Sequence, residues 1–123
     1  MQPSSVAVVG ASERAGSVGH AVVANLREGG FAGTLSLVNP RHSAIGGTNC
    51  YPDLVALPKP PDLAIVCAPP AAVSGIVETA AALRVPACLI LTAGLGRGPD
   101  SAAWAIRDLG HSSGMRIVGP NCL

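Results

Sequence analysis

A chain of 123 residues is about one domain long, enough for a single core that buries roughly two-thirds of the unfolded surface. Hydrophobic residues make up 49% and charged ones 12%, so strands covered on both faces, or apolar surface covered by something else, are expected. A net charge of +1 and only three aromatic residues exclude a basic footprint or stacking platform for nucleic acid, and give no attraction to an anionic membrane. No apolar run reaches the length of a membrane span and Met1 opens on no signal segment, so a cytoplasmic location is expected. Four cysteines, Cys50, Cys67, Cys88 and Cys122, lie far apart with no C-x-x-C spacing, which argues against a metal site or a disulfide framework. Cys67 and Cys88 fall inside apolar runs and read as small core residues.

Val6–Val9 is the first of five short, continuous apolar runs, the pattern of parallel strands buried on both faces. After it, Val18, Val22 and Leu26 mark one face of a helix that stops at Gly29-Gly30. The second run is Leu35–Val38. The stretch from Asn39 to Leu63 is full of breakers and predicts only a weak edge strand, Thr48–Tyr51, and a turn or two of helix over Pro52–Leu57. Leu63–Cys67 is the third run, followed by a helix over Pro70–Arg84 whose apolar positions are Val73, Ile76, Val77 and Ala80. Ala87–Leu91 is the fourth. Ala102–Leu109 predicts a last helix, capped by Asp100 or Ser101 and ending near Gly110, before the fifth run, Met115–Val118. This alternation predicts one α/β domain, a Rossmann-like doubly wound, mostly parallel sheet of order 3-2-1-4-5-6. The ending "IVGPNCL" leaves a strand tip on an apolar residue, so a first domain of a larger protein is expected.

In such a sheet, ligands bind beyond the strand tips where the strand order reverses, here between the first and third apolar runs. The segment "VAVVGASERAGSVG", residues 6–19, places three glycines there. Gly10 permits the sharp turn, Gly16 lets backbone approach a ligand, and Gly19 allows the helix to pack closely on the sheet. The helix N-terminus at Ser17 and Val18 aims free N–H groups at the same spot, and Ser12 and Ser17 add hydroxyls, so a phosphate-bearing ligand is expected. A dinucleotide site of the NAD type carries an acid at the second strand's tip. Here "LVNPRH" has Asn39 in that place, then Arg41 and His42, which suits a phosphorylated ribose such as that of NADP or coenzyme A. "CAPPAAV", residues 67–73, adds a stiff apolar lip fit for an adenine face or an extended cofactor arm.

Taken in order, "VAVVGASERAGSVG", "LVNPRH", "DLAIVCAPP", "LILTAGLG" and "GPNC" resemble the CoA-binding domain of NDP-forming acyl-CoA synthetases, related to the succinyl-CoA synthetase α subunit. The resemblance spans the whole chain. It implies coenzyme A or an acyl-CoA as ligand, with Ser12, Glu13, Arg14 and Ala15 along its diphosphate and Arg41 or His42 on a phosphate. It also implies that Ala68, Pro69 and Pro70 border the adenosine or pantetheine, Leu91, Thr92 and Ala93 touch the pantetheine arm, and Asn121 and Cys122 lie near the thiol. The chain departs from the α subunit in having Ser12 and Glu13 where that subunit has threonine and glycine, and Arg41 or His42 in place of a lysine. In the family the phosphorylated histidine belongs to a following domain, so His20, His42 and His111 are expected to be surface or cap residues, and no residue here, Cys122 included, is expected to be catalytic. The implied parent is an acid–thiol ligase coupling thioester cleavage to phosphorylation of ADP or GDP, completed by downstream domains or a partner subunit, with self-association as a further expectation. Two other readings are a regulatory domain of a large protein lysine acetyltransferase and an NAD(H)-binding module. Neither nucleic acid, membrane nor metal is an expected partner.

Overall fold

The computed structural model describes residues 4–12, 14–41, 44–45, 48–95 and 101–119. In chain order these form β1 (Ser5–Val9), α1 (Val18–Glu28), β2 (Thr34–Val38), β3 (Ala44–Ile45), β4 (Thr48–Tyr51), β5 (Leu63–Val66), α2 (Pro70–Ala82), β6 (Ala87–Ile90), α3 (Ala102–Ser113) and β7 (Arg116–Val118). The sheet order is β3-β4-β2-β1-β5-β6-β7, so the expected order 3-2-1-4-5-6 stands as β4-β2-β1-β5-β6-β7. All those neighbours pair in parallel. The addition is β3, which turns back antiparallel along β4. Two residues are too few to show a period, which is why the sequence did not reveal it.

Alternate side chains of a strand point to opposite faces, and here both faces are covered. Val6 and Val8 of β1 and Ile65 of β5 pack with Val23 of α1. Ala7 and Val9 of β1 and Ala64 and Val66 of β5 pack beneath Val73, Val77 and Ile106 of α2 and α3. Each such buried valine contributes about 1.5–3 kcal/mol relative to exposure, which is why the central runs have no room for a polar residue. β7 is different: its Arg116 and Val118 are exposed, because it is the sheet's edge.

The helices differ from expectation in their faces and ends. On α1 the buried positions are Gly19 and Val23, with Val22 and Leu26 half-buried, while Val18 is 52% exposed. The stripe is shifted by one residue because Gly19, having no side chain, is the position that can lie against the β1 turn. α1 stops as predicted: Gly30 has φ +73, its N–H donates to Arg27 O and the Phe31 N–H to Leu26 O, a Schellman ending. α2 ends earlier than Arg84, at Ala82, and makes the same ending without glycine: Arg84 has φ +61, and the N–H groups of Arg84 and Val85 donate to Ala81 O and Ala80 O. Burial of Val85 holds that turn in place.

α3 continues past Leu109 to Ser113, and Ser101 rather than Asp100 caps its start by accepting from the Trp104 N–H. Gly110 does not end it. A Cβ there would lie 2.7 Å from Ile117 Cδ1, so the glycine lets the helix lie on β7, and the true stop is Gly114 at φ +77. Pro52–Leu57 forms no helix. Asp53 Oδ1 accepts from the Ala56 N–H at 2.9 Å and Leu57 N–H donates to Leu54 O, and there the turn ends. Pro58, Pro60 and Pro61 cannot extend it, and the buried Leu54 and Leu57 anchor it on the α2 side of the sheet.

Burial also sets a pH limit on the fold. Cys88 is fully buried, its Sγ 3.6 Å from Met115 Sδ, and burial pushes its thiol up from 9.0 to about 11. A thiol raised in the folded state favours the neutral form, so its stabilisation is complete below pH 9 and lost as pH rises towards 11. The expected outcome is a thermal midpoint that is level near neutrality and falls across that window, the Cys88 share being on the order of 2–3 kcal/mol. Thermal melts of the parent and of Cys88→Ala check this: the variant should show a shallower alkaline fall.

Candidate functional site

Strand order reverses at β1, whose neighbours β2 and β5 send their chains away in opposite directions. The pairing continues past the strands at this end: Gly10 N–H donates to Val38 O at 2.8 Å, Cys67 N–H to Val9 O at 2.7 Å and Leu91 N–H to Val66 O at 2.9 Å. The loops therefore leave from a rigid rim. Gly10 has φ +93, and a Cβ there would lie 2.7 Å from both Ala68 N and Cys67 C, so only glycine lets the first loop pass the third.

From Ala11 the chain bends into α1 through a loop held by its own serines. Ser12 Oγ accepts from the Arg14 N–H at 3.0 Å. Ser17 Oγ accepts from the His20 N–H at 3.1 Å and donates to Arg14 O at 2.8 Å. The Ser17 hydroxyl thus caps the helix and closes the loop at the edge of the site where a ligand is expected. What α1 offers are the N–H groups of Val18 and Gly19, which, as the first of the helix, have no intrahelical acceptor. Gly16, at φ +87, has nothing within 4 Å of where a Cβ would sit, so backbone is open to solvent there.

At the tip of β2, Asn39 is half-buried and both ends of its amide make a bond. Nδ2 donates to Ala11 O at 2.8 Å and Oδ1 accepts from the Arg41 N–H at 2.9 Å. Asn39 thus braces the two loops, and it also lines the cleft, with a second N–H and a second lone pair beyond those two bonds. Arg41 itself is exposed.

A cleft of about 1280 Å³ runs through these parts, and Gly10, Ser12, Arg14, Gly16, Ser17 and Val18 of the first loop line it with Asn39 and Arg41. Ala68 and Pro69 from the tip of β5 line it too, while Pro70 is the first residue of α2. Ala15 lies exposed in the first loop. Leu91, Thr92 and Ala93 lie one strand further along, outside the cleft lining. Thr92 Oγ1 donates to Ala68 O at 2.7 Å and so fixes the neighbouring tip. Glu13, His42, Asn121 and Cys122 fall outside the described residues. His20 and His111 are exposed, as expected of surface residues.

Sequence reading missed the cleft's far walls, Pro52–Leu54 on one side and Ala72, Gly75, Ile76 and Thr79 of α2 on the other. The signal was the small residues Ala72 and Gly75 on the helix's solvent side. Cys67 sits at the head of this cleft, half-buried, where burial pushes its thiol up to about 11. That burial favours the neutral thiol over the thiolate. Among the described residues, no group of three His, Cys, Asp or Glu side chains is placed to hold a metal, and no helix is long and apolar enough to cross a membrane.

Comparison with known proteins agrees with this geometry. The family model described as "CoA binding domain" matches residues 4–123. The chain is 37% identical to acetate–CoA ligase [ADP-forming] I of Archaeoglobus fulgidus, over 98% of its own length and 18% of the relative's. It is 32% identical to the α subunit of acetate–CoA ligase [ADP-forming] II of Pyrococcus furiosus, over 98% of its length and 27% of that subunit. Among solved structures, it superposes with a TM-score of 0.88 at 31% identity on the dinucleotide-forming acetyl-coenzyme A synthetase 1 of Ca. Korarchaeum cryptofilum, in complex with phosphate and ADP, covering 97% of this chain and 26% of that one. The chain thus spans roughly a fifth to a quarter of these proteins' length. With the family model matched along nearly its whole length and the glycine loop at the switch point of the sheet, the chain belongs to the CoA-binding domain family, whose ligand is coenzyme A or an acyl-CoA.

Proposed function

We propose that this domain supplies the coenzyme A site of an ADP-forming acid–thiol ligase, in which cleavage of an acyl-CoA thioester is coupled to phosphorylation of ADP. The observation that carries the reading is the cleft itself, built at the sheet's reversal by a glycine loop with open backbone at Gly16, two arginines and a helix N-terminus. These parts fit the ligand. The diphosphate lies along the loop from Ser12 to Ala15, where the Val18 and Gly19 amides and Arg14 neutralise it. Arg41 takes the 3′-phosphate of the ribose. The adenosine rests on the apolar lip at Ala68, Pro69 and Pro70, and the pantetheine arm passes Leu91, Thr92 and Ala93. Glu13, His42, Asn121 and Cys122 complete the proposed set.

In this reading the domain binds and orients the thiol carrier, and no residue of the chain performs a covalent step. Activation of the acid and phosphoryl transfer belong to further domains or a partner subunit of a cytoplasmic enzyme. The exposed Val55, Trp104 and Val118 are apolar surface for such neighbours or for a second copy. The relatives named above favour a ligase over a regulatory acetyltransferase domain, and Asn39 in place of an acid disfavours NAD(H).

Isothermal titration of the chain with CoA, acetyl-CoA, dephospho-CoA and NADH tests the reading. CoA and acetyl-CoA should bind alike, and dephospho-CoA about tenfold more weakly for the loss of one charge-assisted contact. Binding of NADH in the absence of CoA binding would overturn it.

A further inference from the structure

Both arginines of the cleft are launched in the same way. Arg14 stands two residues after Ser12, whose hydroxyl holds the Arg14 N–H at 3.0 Å, and Arg41 stands two residues after Asn39, whose amide oxygen holds the Arg41 N–H at 2.9 Å. Side-chain oxygens that bond the backbone two residues on fix the direction in which the next side chain leaves. Asn39 does more than Ser12. Its amide nitrogen holds Ala11 O at 2.8 Å, its backbone N–H donates to Tyr51 O at 2.9 Å, and its carbonyl accepts from Cys50 Sγ at 3.7 Å. One half-buried side chain thus ties the glycine loop to the root of Arg41, while its backbone is held by β4.

We infer that Asn39 is the positioning residue that aims Arg41, through the turn at the Arg41 N–H, and so sets the preference for a 3′-phosphorylated coenzyme, while its bond to Ala11 O steadies the glycine loop for both forms of the ligand. The distance between the diphosphate and the 3′-phosphate is fixed by the ligand. A protein that reads both must hold its two anion-binding parts at a matching separation. The two parts lie on different loops, after β1 and after β2, whose roots are joined by the Gly10 N–H bond to Val38 O at 2.8 Å; beyond that bond, the turn at Asn39 fixes where Arg41 leaves. Asn39 serves both loops because an amide both donates and accepts, so it bonds a carbonyl on one loop and an N–H on the other. An aspartate would have no proton to give Ala11 O.

The inference rests on the proposed coenzyme site, and its test separates the two. Affinities for CoA and dephospho-CoA are measured by calorimetry for the parent, Arg41→Ala, Asn39→Ala, Asn39→Ser and the Asn39→Ala/Arg41→Ala double variant. Serine restores the turn to the Arg41 N–H, as Ser12 does for Arg14, but is too short to reach Ala11 O. Asn39→Ala should weaken CoA about tenfold and shrink the CoA to dephospho-CoA ratio about fivefold, while Asn39→Ser should recover most of that ratio with both affinities still reduced. In the Arg41→Ala background, removing Asn39 should leave the ratio where Arg41→Ala alone puts it. If Asn39→Ala lowers both affinities equally, or if serine fails to recover the ratio, Asn39 is only a structural brace and the inference falls. If the parent binds no CoA, the coenzyme site itself is wrong. Should Asn39→Ala fail to fold, Asn39→Ser and Asn39→Thr carry the same comparison: a retained ratio supports the inference and a lost one overturns it.

Discussion

Gly19→Ala should lower the stability of the domain by about 3 kcal/mol, even though the same change in an open helix position would gain up to about 1 kcal/mol of propensity. The backbone of Gly19 has ordinary helical geometry, so the loss does not come from strain at that residue. It comes from its neighbour: an added Cβ would clash with Gly10 O and lie 3.2 and 3.3 Å from Gly10 C and Ala11 Cα. All three are backbone atoms of a turn whose φ of +93 at Gly10 is already fixed by the β5 loop, so they have little room to give. α1 must lift from the sheet, Val23 loses its place among Val6, Val8 and Ile65, and the helix N-terminus moves with it. Urea unfolding of parent and variant checks the claim, and a variant as stable as its parent would refute the close approach of α1 to the first turn.

Gly16→Asp is the complement. Nothing lies within 4 Å of the added Cβ, so the fold accepts the side chain at the expense of a positive φ, about 1 kcal/mol for a residue type that tolerates that region. The effect on coenzyme should be far larger. The carboxylate would stand where the loop backbone meets the proposed diphosphate, replacing an open approach with bulk and like charge. CoA affinity should fall at least about a hundredfold, which is roughly 2.7 kcal/mol. Calorimetry at two salt concentrations separates the parts, since repulsion weakens with added salt and bulk does not. An affinity within a factor of about two of the parent would move the diphosphate away from Gly16.

Periodicity carried the central strands because Val6–Val9 of β1 and Leu63–Val66 of β5 are covered on both faces and are wholly apolar. The glycine loop was legible for a related reason. Gly10 and Gly19 occupy positions where the backbones of separate elements meet, and only one residue type satisfies such a position. Less was legible where tertiary contact overrides local preference. Arg84 takes a left-handed turn without being glycine, and Gly110 sits mid-helix because Ile117 presses on it. The stretch after β4 has helix-like spacing, yet its prolines stop propagation, and the wall it leaves open belongs to the site. Asn39 was seen as a residue in a ligand-facing place. Its two bonds depend on Ala11 lying across from it, a relation that no local window contains.

The antiparallel pair of β3 and β4 at the far side of the sheet has an effect on solubility. Strands rich in valine and isoleucine invite foreign chains to add at an open margin. Among the described residues the outermost strands are Ala44–Ile45 on one margin and Arg116–Val118 on the other, the latter with a guanidinium among its three side chains. Such short rungs are poor templates for a new strand, and the valine-rich β1 and β5 lie in the middle of the sheet, away from them.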